Sequence, residues 1–168
     1  MLVDKEREVP DELVKELCEL AMWAPNHKRT WPWRFAHLSG EARARYGDTI
    51  ADALAIAGKD EATVAKTRTK FLRTPSILVV GSDSGDSEIR TAENRDAVAA
   101  GVQNILLAGT ARGLATYWGS CPEEAQEVVA AFCGFDSDTR IVGNIYLGWA
   151  SSWPDAPARP PVQINRIS

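Results

Sequence analysis

Three stretches of this sequence combine turn formers with polar or aromatic side chains in a way that could hold a flat ligand. The first is Ala24-Pro25-Asn26-His27-Lys28-Arg29-Thr30-Trp31-Pro32-Trp33-Arg34-Phe35. It leaves a helix end and enters a strand, with two prolines fixing the turn. Backbone amides there could meet a flat polar ring, with two cations and a histidine beside them. The same residues also read as a rigid loop that anchors Trp33 in the core. The second stretch is Gly101-Val102-Gln103-Asn104-Ile105-Leu106-Leu107-Ala108. Small residues followed by apolar ones suit a central helix that could cross its own symmetry mate. Gln103 and Asn104, if buried there, need partners. The third is Gly113-Leu114-Ala115-Thr116-Tyr117-Trp118-Gly119-Ser120-Cys121-Pro122. A strand ends there and a small-residue turn leads to a helix N-terminus. Amides at such a turn can hold an anionic or carbonyl group, and the stretch equally suits a plain connection.

Other chemistries lack their residues. The sequence has no G-x-G-x-x-G, no phosphate loop G-x-x-x-x-G-K, no G-x-S-x-G and no H-E-x-x-H. No nucleophile–base constellation can be picked out along the chain. If it is an enzyme, a bound cofactor carries the chemistry and the protein supplies the pocket. The three cysteines, Cys18, Cys121 and Cys133, are odd in number and widely spaced, which reads as reduced cytosolic thiols. Cys121 at a helix start is either a reactive thiol or a small filler. His27 and His37 have no ligand spacing with the cysteines, so no metal site is expected.

The elements that must position these stretches follow from periodicity. A helix from Pro10 to Met22 carries Leu13, Leu17, Leu20 and Ala24 on one stripe, and Pro25 ends it. Trp33–Leu38 reads as a strand. A second helix, Glu41–Ala57, is expected to break at Gly47 and stop at Gly58, and a third covers Glu61–Phe71. Ser76–Gly81 is an apolar, β-branched strand, followed by a polar loop to Ser87. A long helix, Glu88–Arg112, ends at the C′ glycine Gly113. Leu114–Trp118 is a short strand, Pro122–Gly134 a helix, and Ile141–Trp149 a last strand. This order is α+β. One domain is expected over residues 1–152, with a proline-rich arm over 153–168.

Composition sets the outer limits. The 168 residues are 45% hydrophobic and 25% charged, as in a globular domain with a core. A net charge of −4 and a pI near 5.2 argue against a nucleic-acid surface. Apolar runs such as Ile77–Val80 are far too short to cross a membrane. Met1–Pro10 has no apolar core of a secretory leader, so the protein is expected in the cytoplasm. Six tryptophans, three of them within positions 23–33, suit a flat ligand, a dimer interface or a plain core.

In this order and spacing the three stretches resemble the nitroreductase family of FMN-dependent NAD(P)H oxidoreductases. Ala24–Phe35 is similar to the pattern A-P-[DN]-H-x4-P-W-R-F of one subgroup. Gly101–Ala108 resembles G-x-x-x-Q-N-L-L-L-A, Gly113–Ser120 resembles G-[LF]-G-x-x-W-x-[ST]-G, and Ile141–Gly148 resembles I-V-G-F-L-Y-L-G. The resemblance implies an α+β nitroreductase-like fold, a mostly antiparallel sheet flanked by helices, in a homodimer with two interfacial FMN sites. It implies hydride transfer from NAD(P)H through the flavin to a nitro compound, quinone or similar small acceptor, with no catalytic side chain required. Flavin-contacting positions would be Trp23, Pro25, Asn26, His27, Trp31, Trp118, Gly119 and Ser120, with Arg159 from the tail. Ala108, Gly109, Thr110, Ala111, Arg112 and Gly113 would meet the nicotinamide nucleotide. The family's R-R-S segment, whose arginines hold the FMN phosphate, has no counterpart in Met1-Leu2-Val3-Asp4. Lys28, Arg29, Arg166 and above all Arg159 are the cations expected in its place. Trp23 stands where arginine is frequent, and Cys121 where glycine is usual. The alternative reading is a dimer of the same fold that holds a flavin or other flat ligand without turnover.

Overall fold

The computed structural model describes residues 2–167. Helix α1 (Asp11–Ala21) opens after Pro10, with Asp11 and Glu12 at its positive end, and buries Val14, Leu17 and Ala21. A 3₁₀ turn, His27–Arg29, then leads to strand β2 (Trp33–Leu38). Helices α2 (Ala42–Ile56) and α3 (Glu61–Lys70) follow, then β3 (Ser76–Ser82), α4 (Glu88–Ala111), β4 (Leu114–Gly119), α5 (Gln126–Phe132) and β5 (Arg140–Ala150). A two-residue strand, β1 (Val3–Asp4), precedes them all. Two side-chain caps start helices here: Asp60 accepts from the Thr63 amide at 2.9 Å, and Ser87 from the Arg90 amide at 3.2 Å.

Every strand pairing is antiparallel, and β5 is the hub. It pairs β3 along one edge and β4 along the other, with β1 extending the β3 side opposite Trp149 and Ala150. Strand β2 covers the outer edge of β3, giving the order β2-β3-β5-β4 across the sheet. All of β3 is buried because helices cover both faces. Leu78 and Val80 join the layer of α1 and α4, and Ile77 and Val79 join that of α2 and α5. Each such aliphatic side chain contributes about 1.5–3 kcal/mol on burial. This is the expected α+β fold with an antiparallel sheet between helices.

Three expectations need correction. Gly47 does not break the second helix, which runs unbroken through it. A Cβ there would lie 2.4 Å from the Arg68 carbonyl oxygen, so the glycine lets the α2 and α3 backbones touch. Gln103 is exposed in the chain rather than buried; only Asn104 is partly buried, donating to the Leu20 carbonyl at 3.1 Å. The last helix opens as a 3₁₀ turn, Glu123–Ala125, and only then becomes α-helical. Of the proline-rich arm expected over 153–168, residues 153–167 are exposed and hold neither helix nor strand, and 168 lies outside the described residues.

Candidate functional site

The loop after α1 carries the chain's backbone strain. Lys28, Arg29 and Trp31 have φ of 62°, 53° and 53°, a region that β-carbon-bearing residues enter at a cost of about 1–2 kcal/mol each. A polar network holds them there. Asn26 Oδ1 accepts from the Trp31 amide at 2.9 Å, and its Nδ2 donates to Thr30 Oγ1 at 3.0 Å. Thr30 Oγ1 donates to Asn94 Oδ1 of α4 at 2.6 Å. Buried Asn94 in turn donates to the Asp83 carbonyl at 3.2 Å. The Asp83 amide donates to the Pro32 carbonyl at 2.9 Å, closing the circuit, and its carboxylate pairs with Arg34. Burial raises the Asp83 carboxyl above its ordinary range against the pull of Arg34.

This scaffold leaves specific groups in the open. His27, Lys28 and Arg29 are exposed, and among the described residues neither cation pairs with a carboxylate. Trp23 is 85% exposed and Trp31 53%, so two indoles flank the loop in water. Trp33, by contrast, is core, with the Trp31 ring centroid 6.2 Å away. Thus Asn26 positions the loop, while Trp23, Pro25, His27 and Trp31 face outward. Thr30, Asn94 and Asp83 escape a sequence reading because their link spans up to 64 positions.

The turn after β4 is held by packing. The Trp118 ring lies over Gly143, where a Cβ would come within 2.0 Å of the indole nitrogen. That nitrogen donates to the Val142 carbonyl at 3.3 Å. Gly119 backs onto Tyr146, and the exposed Ser120 offers its carbonyl to Asn144 Nδ2 at 3.4 Å. The buried Tyr46 hydroxyl donates to Asn144 Oδ1 beneath the turn. Cys121 is partly buried, and burial pushes its thiol up to about 12. That opposes the reactive-thiol reading and favours the filler.

Loop and turn share one end of the sheet but not one edge. Trp33 pairs with Ser82, which faces Arg140 of β5, and Gly119 pairs with Asn144, four residues further along β5. Strands β3 and β5 stand between them, three spacings or roughly 14 Å across the sheet. The stretch Ala108–Gly113 lies at the other end of β4, roughly 17 Å from Gly119 for five strand steps. There Arg112 is engaged by Glu16 of α1, and the Gly113 carbonyl accepts from Ala150. Arg159 sits on the exposed arm. A cavity of about 800 Å³ lies elsewhere, between the start of α4 and the start of β5, lined by Ser82, Ser87, Arg95 and Arg140 among others. One chain therefore presents the predicted residues as two open half-sites and a separate helix end.

These half-sites fit a phosphate-bearing flat ring by their chemistry. Unpaired cations and exposed indoles lie at the loop, and a small-residue turn with a tryptophan lies at the sheet's far edge. A sequence profile of the Nitroreductase family matches residues 3–149. "Putative NAD(P)H nitroreductase YdjA" of Escherichia coli (strain K12) is 28% identical over 138 residues, 82% of this chain and 75% of that protein. A crystal structure of a nitroreductase-like family protein from Bacillus cereus superposes with a TM-score of 0.81 at 29% identity, covering 96% of this chain and 86% of that one. The FMN-dependent nitroreductase of Mycobacterium smegmatis, solved in complex with NADPH, shares the fold at a TM-score of 0.70 and 18% identity, covering 98% and 92%.

Proposed function

Because the chain belongs to the nitroreductase family, we propose that it is an FMN-dependent oxidoreductase that takes hydride from NAD(P)H and passes it to a nitro compound, quinone or similar small acceptor. The strained Asn26–Trp31 loop carries this reading. A side-chain network stabilises three left-handed residues and leaves His27, Lys28 and Arg29 unengaged, which is strain maintained for a ligand rather than for the core. The flavin supplies two-electron transfer when bound. Lys28 and Arg29, with Arg159 from the arm, neutralise its phosphate. Trp23, Trp31 and Trp118 supply apolar planes that exclude water from the ring, while Asn26, His27 and the Gly119-Ser120 backbone orient it by hydrogen bonds.

A second copy completes the site in this proposal. The two half-sites stand on opposite edges of one sheet, so loop and turn meet across a homodimer. The nucleotide stretch Ala108–Gly113 then serves the turn of the other copy. Support comes from the outer face of α4, where Ala92, Asp96, Ala100, Gln103, Leu107 and Thr110 are all exposed at helical spacing. Leu107 alone is 61% exposed.

The test is a titration with FMN of the purified chain, read by flavin fluorescence, followed by NAD(P)H oxidation with a quinone or nitroaromatic acceptor. Saturation at one FMN per chain and turnover in excess of bound flavin are expected. Absence of both sinks the proposal, and binding without turnover leaves a ligand-holding dimer.

A further inference from the structure

The turn after β4 has a charged neighbour at the end of α3. Lys66 and Lys70 lie one helical turn apart there, and Arg73 follows in the 3₁₀ turn Phe71–Arg73. None of the three meets a carboxylate among the described residues. Glu123 and Glu124, which open the segment beyond the β4 turn, are spent on Arg140 and Lys59. Like charges one helical turn apart repel. Partial burial, with Arg73 and Lys66 beside it, holds the Lys70 ammonium below its ordinary range. Lys70 is also near enough to the turn to pull the Cys121 thiol down against burial. In a chain of net charge −4, three cations gathered without a counter-charge form a local positive field that attracts an anion.

A ladder of rings joins these cations to the turn. Lys70 Nζ lies 4.8 Å from the Phe71 ring centroid. Phe71 stacks on Tyr146, with centroids 5.8 Å apart and planes 3° from parallel. Tyr146 meets Tyr117 at 5.8 Å across the β4–β5 pair. The ladder ends on the turn, where a Cβ at Gly119 would lie 3.1 Å from the Tyr146 ring. Tyr117 is 57% exposed, so its ring is open to a ligand. Burial pushes the Tyr146 hydroxyl up to about 12, which keeps it a protonated donor at neutral pH. Unlike the Tyr46 hydroxyl, it makes no hydrogen bond among the described residues. Trp33 Nε1 is the one enclosed side-chain polar atom without a partner among those residues, so the Tyr146 hydroxyl is not sealed in.

We infer that this patch selects the electron acceptor, a nitroaromatic ring that also carries an ionised carboxylate. The inference rests on the flavin reading above and names the acceptor class within it. Tyr117 supplies a face for the ring. Arg73 offers the carboxylate a forked donor and Lys70 a point charge. The reducible group then lies toward the Gly119-Ser120 turn. In each turnover one NAD(P)H is oxidised, and the nitro group gains its hydride and a proton and loses water to become a nitroso group. A neutral acceptor of the same size keeps the ring contact and forfeits the charge contacts.

The test compares 4-nitrobenzoate with 4-nitrobenzamide, its neutral counterpart of the same size, in two assays on the full chain. One is NAD(P)H oxidation by the FMN-loaded protein. The other is equilibrium binding, followed by broadening of the aryl proton resonances, which needs no turnover. KM and Kd about tenfold lower for the carboxylate are expected, because exposed charge contacts are individually weak and two or three add up to that ratio. The gap narrows as salt rises, while kcat changes little. Arg73→Gln and Lys70→Gln should each cut the preference about threefold and leave the amide unaffected. Arg73 is exposed, so its replacement leaves the core intact. Equal affinity for the two acceptors, or a preference that survives both variants, overturns the proposal. So does a loss of FMN affinity in the variants with the acceptor preference unchanged, which assigns the cations to the cofactor. A chain that binds no FMN sinks the flavin reading, and the binding assay still decides between carboxylate and amide.

Discussion

The loop from Pro25 to Pro32 and the turn from Trp118 to Cys121 flank the same end of one sheet, yet different forces hold them. The loop is kept in a costly backbone by a chain of side-chain hydrogen bonds running Asn26, Thr30, Asn94 and Asp83. The turn has no residue of positive φ, Gly119 included. It rests on strand register, on the Trp118 ring over Gly143, and on one polar tie through Asn144 to Tyr46. Hydrogen bonds specify direction and can be broken one at a time. Packing specifies shape and fails as a unit.

The harshest test falls on the platform. Gly143→Val brings a Cβ to 2.0 Å from the Trp118 indole nitrogen and 2.9 Å from the Gly119 carbonyl oxygen. The ring and the strand backbone must both shift, at an expected cost of about 3 kcal/mol in urea denaturation. Tryptophan emission moves to longer wavelength as Trp118 leaves its seat. An unchanged unfolding midpoint would mean that the turn does not rest on this contact.

Asn94→Ala strikes the loop. It removes the acceptor of Thr30 and the donor to the Asp83 carbonyl at a buried position, at a cost of about 2 kcal/mol. Combined with Asn26→Ala it should lose less than the sum of the two, because both act through Thr30, with a coupling of about 0.5 kcal/mol or more. Asn94→Ala with Gly143→Val should add simply. Coupling in the second pair and additivity in the first would reverse the comparison.

The sequence made the frame of both regions readable. Strand β2 falls at its expected bounds, because Trp33 to Leu38 lies between Pro32 and the Gly40 turn. The long helix α4 is readable because a serine cap and a C′ glycine bracket its apolar stripe. What escaped is what long-range contact decides. Gly47 reads as a breaker by propensity, yet it is what lets the Arg68 backbone of another helix approach, since a Cβ there would lie 2.4 Å from the Arg68 carbonyl oxygen. Strand β1 is two residues among charges and exists only because β5 offers it an edge. The network behind the loop joins residues far apart in the chain, so no local pattern marks it.

The smallest expected effect concerns Cys121, which tells a packed turn from an open one without disturbing either. Burial lifts its thiol from 9.0 to about 12, with Lys70 and Arg140 only partly opposing. The thiolate is the species that alkylates. At pH 8 a group titrating at 12 holds about a thousandfold less thiolate than one at 9. Native Cys121 should therefore react slowly with iodoacetamide, about tenfold faster per pH unit with no plateau below pH 11, whereas the unfolded chain should level off above pH 9. Cys18 and Cys133 are raised to about 12 by the same cause, so all three should behave alike. The sign of the linked stability follows. Between pH 9 and 12 the folded chain keeps thiol protons that the unfolded chain has lost, so this contribution is complete below pH 9 and disappears as the pH rises to 12. If Cys121 alone alkylates at the ordinary rate, the turn opens in solution and its packing does not hold it closed. The two half-sites would then differ in chemistry but not in the force that holds them.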